Sequence, residues 1–259
     1  MDRDEFIRDE GTISSRKING QIEFKNVWFA YNDEDWVLKD ISFSVDEGKT
    51  AAIVGATGAG KTSIINLLSR FYEINKGGIY IDGIDTKDFT LETLRKNIAV
   101  VLQDVFLFSD TIFNNITLND REITRKQVID AAKIVGVHEF IEKLPGGYDY
   151  NVRERGIVLS VGQRQLIAFL RAYVFNPRIL VLDEATSSVD TESEILIQRA
   201  LKKLTENRTS IIIAHRLATV QAADNIIVMD HGKIIETGNH QQLLKLNGHY
   251  KKLFELQYF

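Results

Sequence analysis

Gly55-Ala56-Thr57-Gly58-Ala59-Gly60-Lys61-Thr62 has the form G-x-x-x-x-G-K-[ST], the phosphate-binding P-loop. Upstream, Thr50-Ala51-Ala52-Ile53-Val54 reads as a short buried strand; downstream, Ser63 to Arg70 reads as a helix. Strand, glycine-rich turn and helix in that order is the context the motif requires. Gly55, Gly58 and Gly60 let the backbone curl so that successive N–H groups face phosphate oxygens, with Thr57 and Ala59 in the same cradle. The helix N-terminus adds its positive end. Lys61 is expected to reach the β- and γ-phosphates, and the Thr62 hydroxyl to ligate Mg²⁺.

The chain has 259 residues, enough for one large domain or a domain with a subdomain. Its 44% hydrophobic and 26% charged content is that of a soluble globular protein. A net charge of -4 gives no global basic field, so no nucleic-acid partner is expected. The absence of cysteine excludes disulfides, zinc–thiolate sites and thiol catalysis. The charged start Met1-Asp2-Arg3-Asp4-Glu5 is not a signal peptide, and no apolar run approaches the ~20 residues that span a bilayer. A need for ATP points to the cytoplasmic side.

Residues 1–20 are polar and read as a linker or arm rather than core, and residues 21–259 as the ATPase domain. Ile22 to Tyr31 and Val37 to Val45 alternate as half-buried strands, with a turn at Asn32-Asp33-Glu34-Asp35. Glu47-Gly48 is expected to close a hairpin-like connection. Ile98 to Leu102 is a continuous apolar run, as a buried parallel strand would be. Helical spacing from Thr111 onward and through Gly162–Phe175 predicts a helical insert over about 104–176, ended by Pro177. Further buried strands are read at Arg178–Leu182, Ser210–Ile213 and Ile226–Asp230, with a helix over Thr191–Leu204. The order predicts an α/β chain with a mainly parallel sheet, an antiparallel N-terminal β subdomain and the helical insert.

Four apolar strands end in reactive groups: the P-loop after Val54, Gln103 after Leu102, Asp183-Glu184 after Leu182, and His215 after Ile213-Ala214. In doubly wound sheets ligands sit at the carboxyl ends of strands, so the four are expected to converge on one phosphate site. Asp183 follows four apolar residues, the Walker B pattern, and is expected to hold Mg²⁺ directly or through water. Glu184 is the candidate general base for the attacking water. Gln103 is expected to orient water or touch Mg²⁺, and His215 to donate to the γ-phosphate.

Leu159-Ser160-Val161-Gly162-Gln163-Arg164-Gln165 resembles the signature of ATP-binding-cassette (ABC) ATPases. Gln103 matches the family's Q-loop, Ser187-Ser188-Val189-Asp190 its D-loop and His215 its switch histidine, all in family order. The resemblance covers about residues 21–257. It implies that Tyr31 stacks on adenine, with Trp36 a rival platform, and that Ser63 touches the α-phosphate. It implies also that Ser160, Gly162 and Gln163 bind the nucleotide held by a second cassette, the two meeting head to tail. Leu144 to Asp149, Val152 to Gly156 and Phe106-Leu107-Phe108 resemble the segments through which exporter cassettes touch their membrane helices. The implied partners are a second cassette and a transmembrane domain, and the implied place is the cytoplasmic face of the cell membrane. Residues 1–20 would be the linker after the last membrane helix. Two positions depart from the pattern: Val161 and Arg153 stand where the family usually has Gly. Two other readings are a soluble ABC ATPase acting on DNA or the ribosome, and a low-turnover ATP-binding switch.

Overall fold

The computed structural model describes residues 7–14, 16–32, 34–183, 191–214 and 216–258. In chain order the first elements are β1 (Ile22–Ala30), β2 (Trp36–Val45), β3 (Thr50–Gly55), α1 (Lys61–Leu68), β4 (Lys76–Ile81), β5 (Ile84–Asp85), α2 (Leu91–Asn97) and β6 (Ile98–Val101). A helical stretch follows, with α3 (Ile112–Thr117), α4 (Arg125–Val135), α5 (His138–Glu142) and α6 (Val161–Phe175). The chain then runs through β7 (Ile179–Asp183), α7 (Thr191–Thr205), β8 (Thr209–Ile213), α8 (Leu217–Ala222), β9 (Asn225–Asp230), β10 (Lys233–Gly238), α9 (His240–Leu246) and α10 (His249–Tyr258).

Two compact units result, one built from residues 1–100, 178–184 and 207–259, the other from 101–177 and 185–206. The first unit holds both sheets. One is antiparallel, in the order β2-β1-β4-β5; the other runs β10-β9-β3-β8-β7-β6. Within the second, β3 pairs in parallel with β8 and β9, β7 pairs in parallel with β8, and β10 runs antiparallel to β9. This is the α/β fold with a mainly parallel sheet and an antiparallel N-terminal sheet that the residue pattern implies. The reason β3 sits centrally is visible in its composition: Ala51, Ala52, Ile53 and Val54 are all buried, and a strand apolar on both faces needs cover on both. Val27, Phe29, Leu38, Ile41, Ile64 and Leu68 join Ile53 in one core.

Three expectations change. Glu47-Gly48 does not close a hairpin, because β2 and β3 belong to different sheets. Gly48, at φ 70, turns the chain from one sheet into the other, and turn chemistry alone does not name the partner strand. The strand from Ile98 stops at Val101, leaving Leu102 exposed. Ile18, in the stretch taken for a polar arm, is 1% exposed and packs in the core.

The second unit is helical, with Val128, Ala132 and Val135 of α4, Leu166 and Leu170 of α6, and Ile197, Leu201 and Leu204 of α7 all buried. Tyr148 is buried here, its hydroxyl 2.9 Å from Nδ1 of His138. Burial first, then the nearby Glu142 carboxylate, pushes the Tyr148 phenol up to about 12, against an opposing pull from Arg125. The folded chain therefore keeps a proton that the unfolded chain releases from about pH 10. This stabilisation is complete below pH 10 and is lost as pH rises through about 12. Tyr148→Phe should remove that part of the alkaline loss, which urea midpoints of both proteins at pH 9.5 and 11.5 will measure.

Candidate functional site

The P-loop takes its shape from three glycines with positive φ: Gly55 at 154, Gly58 at 83 and Gly60 at 96. At Gly55 a side chain is also sterically barred, since a Cβ would lie 2.2 Å from the Met229 carbonyl oxygen of the adjoining β9. Gly60 is the N-cap of α1 in the left-handed region, and no side chain caps that helix. The first amides of a helix have no intrahelical acceptor, so this end is free to receive an anion.

Lys61 is buried at this end, and its Nζ donates to the carbonyls of Gly55 (2.8 Å) and Ala56 (2.9 Å). Burial lowers its pKa from the ordinary lysine value, and the negative charge of Asp183 acts in the opposite sense. Asp183 is thus within electrostatic reach of the P-loop lysine. The register explains why: Ile213 of β8 pairs with both Asp183 of β7 and Ile53 of β3, so the three strand ends lie level. Among the described residues no group of three or more carboxylates or histidines is placed to hold a metal ion. One carboxylate, the Thr62 hydroxyl and substrate oxygens would be the donor set for a metal here, which suits Mg²⁺, an ion usually held by few protein ligands and by phosphate.

Tyr31 stands beside α1. Its hydroxyl is 3.1 Å from Ser63 Oγ and accepts from Asn66 Nδ2 at 3.4 Å. Its ring meets Phe29 and Tyr72 edge-on at 4.6 and 5.0 Å and is 41% exposed, leaving a face open to solvent. The rival platform, Trp36, is engaged by Trp28 at 5.5 Å and by the Lys76 ammonium at 5.2 Å over its ring.

Gln103, Ser160, Gly162 and Gln163 belong to the second unit. Gln103 is exposed. Ser160 caps α6: its Oγ accepts from the Gln163 amide at 3.2 Å, and Gln163 Oε1 accepts from the Ser160 amide at 2.9 Å. The expected ligand Gln163 therefore has its side-chain oxygen committed to a capping box. Glu184, the D-loop residues 187–190 and His215 lie outside the described residues.

The two departures from the family pattern separate here. Val161 is the first residue of α6 and carries no positive φ, so a β-branched residue fits it. Arg153 sits at φ 56, ψ -171, a region nearly confined to glycine and costing on the order of 1–3 kcal/mol otherwise. Arg153→Gly should therefore raise stability, by about 1 kcal/mol after the glycine's extra unfolded-state entropy, measured as a higher urea midpoint at unchanged m.

A cleft of about 550 Å³ in the second unit has no counterpart in the sequence pattern; Gln103, Asp104, Glu154, Arg155, Ile157 and Arg164 are among the residues that line it. Ile157 is 77% exposed, and Phe106 and Phe108, ring to ring at 5.1 Å, are also exposed. Leu107 between them is core, as is Val152, so these two support the segment and do not present it. Buried Asn115 pins the loop: its Oδ1 accepts from the Phe108 amide, and its Nδ2 donates to the carbonyls of Phe108 and Thr111. The two stretches that supply most of the cleft's lining, 103–105 and 154–157, lie about 50 positions apart in sequence, so no local pattern joins them.

A family profile described as "ABC transporter" matches residues 38–187, more than half of the chain. The chain belongs to the ABC transporter family. This ABC cassette is 48% identical over 252 residues to an ATP-dependent lipid A-core flippase of Legionella pneumophila (strain Paris), covering 97% of the cassette and 43% of the flippase. It is 52% identical over 246 residues to an uncharacterized ABC transporter ATP-binding protein, YknV, of Bacillus subtilis (strain 168), covering 95% and 41%. The structure of a bacterial Atm1-family ABC exporter with ATP bound matches it with a TM-score of 0.90 at 40% identity, covering 98% of the cassette and 44% of that chain. The cassette thus spans less than half the length of these relatives. It is an ATP-binding ATPase domain of the family. No helix among its described residues is long and apolar enough to cross a membrane.

Proposed function

We propose that this cassette binds ATP with Mg²⁺, pairs head to tail with a second cassette, and powers export through an associated transmembrane domain. The observation that carries the reading is the uncapped, glycine-led start of α1, with Lys61 buried inside the loop and Asp183 in electrostatic reach. ATP is the substrate. Lys61 and the α1 amides hold its β- and γ-phosphates, Ser63 the α-phosphate, and Tyr31 the adenine. Thr62 and Asp183, with Gln103, would hold Mg²⁺, which when bound neutralises phosphate charge. Glu184 takes the proton of the attacking water, Gln103 orients that water, and His215 donates to the γ-phosphate. Ser160, Gly162 and Gln163 present the α6 N-terminus to the nucleotide of the opposite cassette, adding a second helix dipole over the transferred phosphate. The exposed Phe106, Phe108 and Ile157 of the second unit are the surface offered to the membrane helices. The place of work is the cytoplasmic face of the membrane.

The relatives named above are transporter proteins, which leaves the DNA or ribosome reading without support. The helical backbone at Val161 supports a working signature rather than a damaged one.

The test is Mg²⁺-dependent ATP hydrolysis over a hundredfold range of protein concentration. Specific activity that climbs with concentration and saturates is the expected result for a site shared between two cassettes. Activity independent of concentration would reject the shared site.

A further inference from the structure

Residues 8–14 are held against the segment that leads from β5 into α2. The amides of Thr12 and Ile13 both donate to the Asp88 carbonyl at 3.0 Å, and the Thr90 amide donates to the Ile13 carbonyl at 3.1 Å. The Leu91 amide donates to the Asp9 carboxylate at 2.9 Å, and the Thr93 hydroxyl to the Ser14 carbonyl at 3.0 Å. The approach is backbone to backbone: a Cβ on Gly11 would lie 2.0 Å from the Phe89 carbonyl oxygen and 2.7 Å from the Thr90 nitrogen. Only glycine permits that distance.

One side chain joins this docked stretch to the P-loop helix. Arg70 follows α1 by two residues, in the left-handed region at φ 47, and is 4% exposed. Its Nε and Nη2 donate to the Glu73 carboxylate at 3.1 and 2.9 Å. Its Nη1 donates to the carbonyls of Thr86 and Phe89, each at 3.3 Å, and its Nη2 also to the carbonyl of Arg8 at 3.4 Å. One planar guanidinium, carried just past the end of α1, thus binds three segments: Glu73, the 86–89 stretch that Gly11 abuts, and the arm itself. The bonds to the last two are the longest, so a shift of the arm strains those first. A guanidinium cannot satisfy displaced acceptors separately, because its donors are fixed in one plane.

We propose that Arg70 is a positioning residue: through it the docked arm sets the seat of α1, and with it the affinity of the P-loop for nucleotide. Lys61 begins α1 and Arg70 lies just past its other end. A two-turn helix moves as a rigid piece, so a change at Arg70 reaches the amides at the phosphate end. Anything that pulls residues 8–14 off their seat weakens nucleotide binding from a distance. The inference rests on the P-loop reading above.

Two variants test it. Gly11→Val unseats the arm without touching α1, and Arg70→Lys keeps the charge but loses the fork. For each, and for the pair, ADP affinity is measured by calorimetry on the whole chain, together with KM and kcat for ATP and the thermal midpoint. Each single variant should weaken ADP and raise KM about fivefold or more, the lower range of coupling between sites, with kcat within twofold. The double variant should be no weaker than the worse single one, because both act along one route. An unchanged ADP affinity with a lowered thermal midpoint would make Arg70 structural only and overturn the proposal. Additive losses would overturn the shared route. If Arg70→Lys fails to fold, Gly11→Val decides alone. If the unsubstituted chain does not bind ADP, it is the P-loop reading that falls.

Discussion

Lys61→Ala is expected to lower kcat/KM for ATP by roughly 10²–10³-fold or more, the loss typical of removing one group that stabilises developing charge. The side chain is already in place: it is buried and fixed by the carbonyls of Gly55 and Ala56. On meeting phosphate it exchanges neutral acceptors for charged ones, and charge-assisted bonds are about twice as strong. Alanine removes the charge and leaves two loop carbonyls without their donor, so loop order suffers along with affinity. Steady-state hydrolysis and ATP binding by equilibrium dialysis check this together. A variant that keeps a tenth of the activity would show that this loop is not where phosphate is held.

Glu184→Gln is expected to lower kcat by about 10²–10⁴-fold, the usual contribution of a positioned general base. An amide is nearly the shape of the carboxylate but cannot take a proton from water. Binding should survive, since the phosphate cradle is built from α1 and the loop before it. The signature of that split is ATP retained without turnover, and chains accumulating as dimers on size exclusion in the presence of ATP. Glu184 follows directly on Asp183, the last residue of β7, whose level in the sheet is fixed by Ile213. Continued turnover in this variant would remove Glu184 from the role.

The parts of the site that could be read from residues alone are those whose chemistry is local. The P-loop is eight consecutive residues, and its turn, its strand and its helix announce themselves by glycine spacing and apolar runs. Ser160 and Gln163 are three apart and form a capping box for the same local reason. What stayed hidden depends on distant contacts. Gly11 looks like a linker glycine until the Phe89 carbonyl is found against it, and Ile18 looks isolated until it is found buried in the core. The departures at Val161 and Arg153 were equally visible as letters. Only backbone angles tell that the first costs nothing and the second is strained. The same holds for Glu47-Gly48, where a turn signal could not say which sheet the next strand enters.

The position of β3 has a consequence for how the chain is made. Its two partners in the sheet, β8 and β9, are paired at Ser210–Ile213 and Asn225–Met229, about 160 residues and more after β3 itself. At the usual pace of synthesis, about 5–20 residues per second, the ribosome needs roughly 8–30 seconds to deliver them. Throughout that interval Ala51-Ala52-Ile53-Val54 is a finished apolar segment whose hydrogen-bonding edges have no native mate. The risk of aggregation during synthesis therefore falls on the β3 segment in that interval, and a newborn cassette cannot hold nucleotide firmly until β8 and β9 have left the exit tunnel.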